Sequence, residues 1–257
     1  MRQIALATLF LACTLPVYAD TVIKERSPDG SNTTISIKGE WARVDEGNEP
    51  GFHLWNLKTG EMHMVDPNER TIMTINLRKK GVKGKHRPVK ANVKKIGKGP
   101  KIAGYPTIEY QLSTNGRQCG KEFVSSAAAK SPDVRRLVSN FAELSSIDEI
   151  LPGPMGAAAQ AMMDPCDRAA MSFGKQIPKL GMPLKSLDAS GAVETEVTSI
   201  DTHAKLDKRL FTLPADYKRT SLEEEMGNAM KEMQQMMQNV PPEMQQMMQQ
   251  MFQKPPQ

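Results

Sequence analysis

The sequence has few of the residues that enzymes and membrane-spanning proteins depend on. Aromatic residues make up 5% of its 257 positions, and it contains four histidines and three cysteines. Its mean hydropathy is negative, which argues against a protein with several membrane spans. A chain of this length can bury one sizeable core, so we expect one principal domain with at most a short appendage.

Recognisable catalytic motifs are also missing. The four histidines are His53, His63, His86 and His203. They form no His-Glu-x-x-His zinc helix, and the sequence has neither a Gly-x-Ser-x-Gly elbow nor a glycine loop with P-loop spacing. His53 and His63 flank a turn at residues 58–60 and could face each other across a strand pair, but no third metal ligand accompanies them. We predict that the chain is not an enzyme and uses no cofactor.

The N-terminus has the pattern of a secretory signal peptide. Arg2 precedes an apolar run over residues 4–15, and the small-residue cleavage pattern Val17-Tyr18-Ala19 follows. Such a run is too short for a spanning helix. The sequence therefore predicts cleavage after Ala19 and export to the periplasm, with lipid attachment at Cys13 as the alternative.

Cleavage after residue 19 would leave two cysteines, Cys119 and Cys166. In an oxidising compartment a remaining pair is most simply a structural disulfide. We predict a bridge between them, and two separate buried thiols are the alternative.

A stretch over residues 33–77 predicts an antiparallel meander. It is rich in β-branched, aromatic and methionine side chains, and turn residues interrupt it at residues 58–60 and 66–68. Alternating runs that indicate further strands occur at residues 21–25, 102–125 and 181–200. One face of the sheet should be apolar and the other wet.

The middle of the chain changes to a helical period. Ser131-Pro132 supplies a cap and a first-turn proline, and apolar residues follow at helical spacing as far as Leu144. A second helix is predicted over residues 155–163, interrupted by Asp164-Pro165. Strands, then helices, then strands is an α+β order, with helices on one face of a curved antiparallel sheet. The predicted organisation is a signal peptide at 1–19, one domain at 20–220 and a tail at 221–257.

Two segments have a biased composition. Residues 79–101, which begin at Lys79 and end at Lys101, are rich in lysine and arginine. Such a run is typical of a solvated loop or exposed hairpin, and the alternative is a patch for an anionic membrane surface. No aromatic residues lie between the lysines and the chain is exported, so we do not expect nucleic acid as a partner.

The tail is rich in methionine and glutamine. Met226 and the methionines that follow it lie at the spacing of an amphipathic helix, which predicts a docking helix or a disordered tail. Thioethers can also ligate Cu(I) in an oxidising envelope. The copper ligands would then be Met230, Met233, Met237, Met244 and Met247.

Three passages carry a resemblance to a known family: residues 57–67, with the sequence LKTGEMHMVDP, residues 102–105, IAGY, and residues 210–218, LFTLPADYK. Over about residues 21–219 the chain resembles an uncharacterised family of exported bacterial domains, of the domain of unknown function 4412 type. That family is similar in fold to the periplasmic lipoprotein carriers LolA and LolB. The resemblance implies a strongly curved half-barrel sheet closed by helices around an apolar cavity, which in the carrier holds acyl chains. It implies a binding role and supplies no catalytic residues.

The sequence thus predicts a non-enzymatic periplasmic binding protein whose ligand is an acyl chain, a lipoprotein or a hydrophobic peptide. The candidate lining residues are apolar side chains of the predicted sheet: Trp41, Phe52, Trp55, Met62, Met64, Met73 and Tyr110. Each of them could equally be ordinary core packing. Two other functions stay open, namely copper or metal handling by the Met-rich tail, and a structural or partner-interaction role in the cell envelope.

Overall fold

The structure, a computed structural model, describes residues 20–78, 91–144 and 163–238. The signal peptide, Cys13, Lys79, Met244 and Met247 lie outside these ranges, as does all but the last residue of the helix predicted over 155–163. The described residues form one large, mostly antiparallel sheet of 12 strands with helices packed on it. This is an α+β architecture, as the order of strands and helices predicts.

The strands are β1 (Asp20–Arg26), β2 (Asn32–Lys38), β3 (Trp41–Glu46), β4 (Phe52–Asn56), β5 (Glu61–Asp66), β6 (Thr71–Asn76), β7 (Ala91–Lys98), β8 (Ile108–Thr114), β9 (Arg117–Ser125), β10 (Met182–Leu187), β11 (Val193–Ala204) and β12 (Lys218–Ser221). The α-helices are α1 (Pro132–Leu144), α2 (Pro165–Gly174), α3 (Ile177–Leu180) and α4 (Leu222–Gln238). Across the sheet the order is β12-β6-β5-β4-β3-β2-β1-β11-β10-β9-β8-β7. Strands β2 to β6 form the predicted meander, and β12 joins it by pairing in parallel with β6.

Part of the basic segment, residues 79–101, belongs to the sheet and is not a separate loop or hairpin. Its described part contains β7, which pairs antiparallel with β8 at the edge of the sheet. Lys94 and Lys95 are exposed on this strand, and a register shift follows Lys95. Lysines and bulges protect a sheet edge from pairing with another chain, so the lysines that suggest a solvated loop also suit an edge strand. Contact of this segment with an anionic membrane stays a prediction.

Asp164-Pro165 begins a helix, α2. The Asp164 carboxylate accepts a hydrogen bond from the Cys166 backbone N–H at 2.7 Å, and Pro165 occupies the first turn of α2. This is the arrangement of an N-cap followed by a first-turn proline, since neither position needs an intrahelical N–H partner. The predicted helix that this pair would interrupt, over 155–163, lies outside the described residues except for its last position.

Helices α1 and α2 pack on one face of the sheet, called here the helical face. Thr21 Oγ1 donates to Asp133 Oδ2 at 3.1 Å and joins β1 to α1. The apolar side chains buried between α1 and the strands include Val134, Leu137, Val138, Ile23, Ile37 and Trp55. No described helix is both long and apolar enough to cross a membrane.

The predicted disulfide is present between Cys119 of β9 and Cys166 of α2. Beside it, the rings of Tyr110 and Phe173 pack with their centroids 6.3 Å apart. The bridge therefore ties α2 to the sheet at the end opposite the meander, as expected for a cysteine near a helix end. Because disulfides persist in oxidising compartments, it also fits the predicted export.

The other face, called here the outer face, is crossed by residues 205–217. The Leu206 backbone N–H donates to Asp20 Oδ2 at 2.8 Å, and Arg43 Nη1 donates to the Leu210 carbonyl at 3.0 Å. Leu54, Val65 and Ile72 lie on this face and are buried. The crossing carries the chain from β11 to the far edge of the meander, where β12 pairs with β6.

Candidate functional site

Strand register arranges the meander's helical face in rows, because residues directly opposite each other project from the same face of a sheet. The core row is Ile37, Ala42, Trp55, Met62 and Ile75. The cavity row is Ile35, Val44, His53, Met64, Met73 and Thr220. Two residues further along the strands lie Glu46, Asp66, Thr71 and Lys218, which form the rim row.

A cavity of about 700 Å³ opens over the cavity row. Val44, His53, Met64, Met73 and Thr220 are among its lining residues. Helix α4 reaches its wall through Glu225. Small-molecule pockets span about 300–1,000 Å³, so this cavity has the size of a ligand site.

The cavity wall is strongly acidic. The carboxylates that line it belong to Glu46, Glu49, Asp66, Glu69 and Glu225. Lys218 is the one lysine among the described lining residues, and these carboxylates take part in no salt bridge within the described chain. Clefts lined by charge of one sign focus the potential, so this wall attracts cationic groups.

The structure separates the seven predicted lining residues. Met64 and Met73 lie side by side in the cavity row, while Trp55 and Met62 belong to the core row. Tyr110 packs under α2, away from the meander. The seven predicted residues therefore do not line a single cavity, because some lie in the core and some on the outer face.

Trp41 and Phe52 lie on the outer face, since they alternate with Ala42 and His53 along their strands. The Trp41 ring stacks on His63 at 6.3 Å between centroids, and the Arg43 guanidinium lies 3.6 Å from the centroid of the Phe52 ring. Phe52, the first residue of β4, is also one of the residues that line the cavity. Neighbouring residues of a strand project from opposite faces of the sheet, and composition alone does not show which face each residue occupies.

The hypothesis of a two-histidine metal site was wrong. His53 pairs with Met64, and His63 pairs with Leu54, so the two imidazoles project from opposite faces of the sheet. His63 Nδ1 lies 3.0 Å from Thr74 Oγ1, and its Nε2 lies 3.0 Å from Glu61 Oε1. Desolvation lowers the pKa of His63. Within the described ranges, no group of three or more His, Cys, Asp or Glu side chains could hold a metal ion.

The contribution of two elements to the site was not predicted from the sequence. Strand β12 supplies Lys218 and Thr220, and α4 supplies Glu225. The only local signal was Ser221, whose Oγ accepts from the Glu224 backbone N–H at 3.1 Å at the start of α4. Residues 222–238 are helical, as the methionine spacing indicates, but the side chains of Met230, Met233 and Met237 lie outside the described ones.

A buried carboxyl group lies elsewhere on the helical face. Glu122 of β9 is directly opposite Tyr110 and Ser186. Burial raises the pKa of Glu122 from 4.5 to about 8, and the Glu194 carboxylate contributes to the increase. Burial also raises the pKa of Glu25 on β1. In the folded protein both groups therefore keep their protons to a higher pH than an ordinary glutamate does.

We expect the free energy of unfolding to fall as pH rises from about 4.5 to about 8, because over that range folded Glu122 keeps its proton and the unfolded chain has lost it. The stabilising contribution of Glu122 is complete below pH 4.5 and is lost as the pH rises through the folded pKa of about 8. Urea denaturation of a Glu122→Gln variant across this range should show a shallower decline. The exposed Glu49→Gln variant is the control, and equal slopes in both variants would contradict the assignment.

The fold and the cavity define an α+β protein with an acidic, methionine-floored cavity on a large antiparallel sheet. No family model matches the chain, and no curated protein matches it. An uncharacterized conserved protein from Thermus thermophilus is similar in structure, with a TM-score of 0.40 and 9% identity over 80% of this chain and 91% of that one.

Two further solved structures contain MucB. MucB itself has a TM-score of 0.35 and 12% identity, over 79% of this chain and 59% of MucB. The Pseudomonas aeruginosa MucA/MucB complex gives a TM-score of 0.34 and 10% identity, over 79% of this chain and 58% of that one. Because these scores are low, we base the function on the residues of this chain.

Proposed function

We propose that this chain is an exported, non-enzymatic binding protein whose cavity holds the apolar part of a ligand. The observation that carries the proposal is the cavity row, where Met64 and Met73 are the floor of a space of about 700 Å³. Methionine side chains are flexible and polarisable, and they adapt to apolar surfaces of different shape. Neighbouring Trp55 and Met62 fill the core instead.

The charge on the wall narrows the ligand class. A free fatty acid would bring its carboxylate towards Glu46, Asp66 and Glu225, which lowers its affinity. An amino or guanidinium group in the same place is attracted. We therefore propose a hydrophobic peptide, or the segment of a lipoprotein near its acyl chain, that carries positive charge beside its apolar part.

Other features support this proposal without deciding the ligand. The disulfide suits a protein that works outside the reducing cytosol. Helices α1 and α2 cover one face of the sheet, and α4 lies beside the cavity. We propose that sheet and helices form the half-barrel of the exported family that the sequence resembles, with the tail adjoining the mouth.

The proposal predicts selectivity between two amphiphiles of the same length. Dodecylamine should displace an apolar fluorescent dye from the full-length protein at a lower concentration than dodecanoate does. In a Glu46→Gln/Asp66→Asn variant, the ratio between the displacing concentrations of the two amphiphiles should shrink by about fivefold. This corresponds to the roughly 1 kcal/mol expected from partly exposed charges. Added salt should narrow it as well.

Two variants test whether the dye binds in this cavity. Lys218→Gln removes a positive charge from the rim row, so dodecylamine should bind more tightly. Met73→Gln places a polar amide on the floor and should weaken dye binding, with little change in fold because Met73 is only partly buried. Equal displacement by both amphiphiles, or dye binding that Met73→Gln leaves unchanged, would reject the proposal.

A further inference from the structure

Three neighbours in the cavity row have chemistry that apolar binding does not require. His53, Met64 and Met73 are consecutive in the row, on β4, β5 and β6, and each is directly opposite the next. Directly opposite residues have Cβ atoms about 4.5–5.5 Å apart. One imidazole and two thioethers therefore project side by side into the same cavity.

Within the described chain, none of these three side chains makes a hydrogen bond or an ion pair. His53 makes no hydrogen bond and no ion pair with any described residue, in contrast to His63, both of whose ring nitrogens have partners. The thioethers are weak acceptors on flexible stems, so their sulfur atoms can turn towards a shared point. The set is free to converge on one bound ion.

The donor types select the ion. Thioether sulfur is a soft ligand that favours Cu(I), and imidazole also suits copper. Thiolates, the other soft donors of proteins, are not offered by Cys119 and Cys166 because these form the disulfide. The acidic wall attracts a cation of any kind, and the sulfur atoms make the site selective for a soft one.

We propose that His53, Met64 and Met73 form a three-coordinate site for Cu(I), with one nitrogen and two sulfur ligands. The site goes beyond the proposed function, because it adds a metal ion to the cavity and does not depend on an apolar ligand. It also differs from a copper site in the tail, since its ligands belong to the sheet. Cu(I) binds without change of oxidation state, so no redox partner is involved.

The test is an anaerobic Cu(I) titration of the full-length protein against the chelator bicinchoninate. In Met64→Leu/Met73→Leu, Cu(I) affinity should fall by about 100-fold, since loss of even a supporting group at a metal site costs about 10- to 100-fold. His53→Gln should also weaken binding. Met62→Leu, in the core row of the same strand, is the matched control and should bind as the unaltered protein does.

A second full-length variant separates the sheet from the tail. It carries leucine at Met230, Met233, Met237, Met244 and Met247. This tail variant should retain one tight Cu(I) site. If it loses that site while Met64→Leu/Met73→Leu keeps it, copper belongs to the tail and the proposal is wrong.

A further readout needs no variant to fold. In the unaltered protein, Ag(I) should shift the methyl NMR signals of Met64 and Met73 and leave that of Met62 in place. Unmoved signals would overturn the site. Because this measurement follows a metal ion and uses no dye or amphiphile, it tests the site separately from the apolar-ligand proposal.

Discussion

Replacing both Cys119 and Cys166 with serine is expected to lower the free energy of unfolding by about 4 kcal/mol, the loop-closure value for a separation of 47 residues. The bridge encloses β9 and α1 and holds α2 against β8 and β9, so its loss also frees the helix that packs on Tyr110. Urea denaturation of the double variant and of the unaltered protein measures the difference.

A reducing agent supplies the control for this prediction. It should destabilise the unaltered protein about as much as the double substitution does, and it should leave the double variant unchanged. Two reactive thiols in denatured, unreduced protein, or equal unfolding midpoints with and without reductant, would show that the bridge does not stabilise the fold.

Truncating Trp55 to alanine is expected to cost about 3–5 kcal/mol, the usual range for a buried tryptophan. Its side chain is 2% exposed, and it lies in the core row between Ala42 and Met62 under the helical layer. Thermal or urea unfolding of Trp55→Ala tests this value.

Trp55→Phe separates packing from hydrogen bonding at the same position. The Trp55 Nε1 atom is buried and has no hydrogen-bond partner in the described chain. A buried donor without a partner is destabilising, so its removal offsets part of the lost packing. We expect Trp55→Phe to cost much less than Trp55→Ala, and costs of similar size would indicate that Nε1–H does have a partner.

Local chemistry made several parts of the fold predictable. The turns at residues 58–60 and 66–68 and the alternating runs between them indicate the meander, and Ser131-Pro132 marks the start of α1. The cysteine pair follows from counting, because export leaves two thiols in an oxidising compartment. Each of these signals lies within a short stretch of chain or in the composition.

Position across the sheet was not predictable in the same way. His53 and His63 flank one turn, yet register puts His53 in the cavity and His63 against Trp41 on the outer face. A shift of one residue exchanges the two faces of a strand, and only the pairing with neighbours fixes it. The same cause places Trp41 on the outer face, away from the cavity.

The sequence by itself determined the α+β order of elements and indicated the bridge between Cys119 and Cys166, and it left a helix after Ser221 open beside a disordered tail. Only the tertiary structure decided which side chains share a site. Residues 205–217 return the chain across the sheet, seat β12 beside β6 and bring Glu225 to a cavity floored by Met64 and Met73. These contacts join residues more than 140 positions apart. Strand pairing and packing bring such segments together, and the local sequence of one segment does not indicate which other segment it will contact.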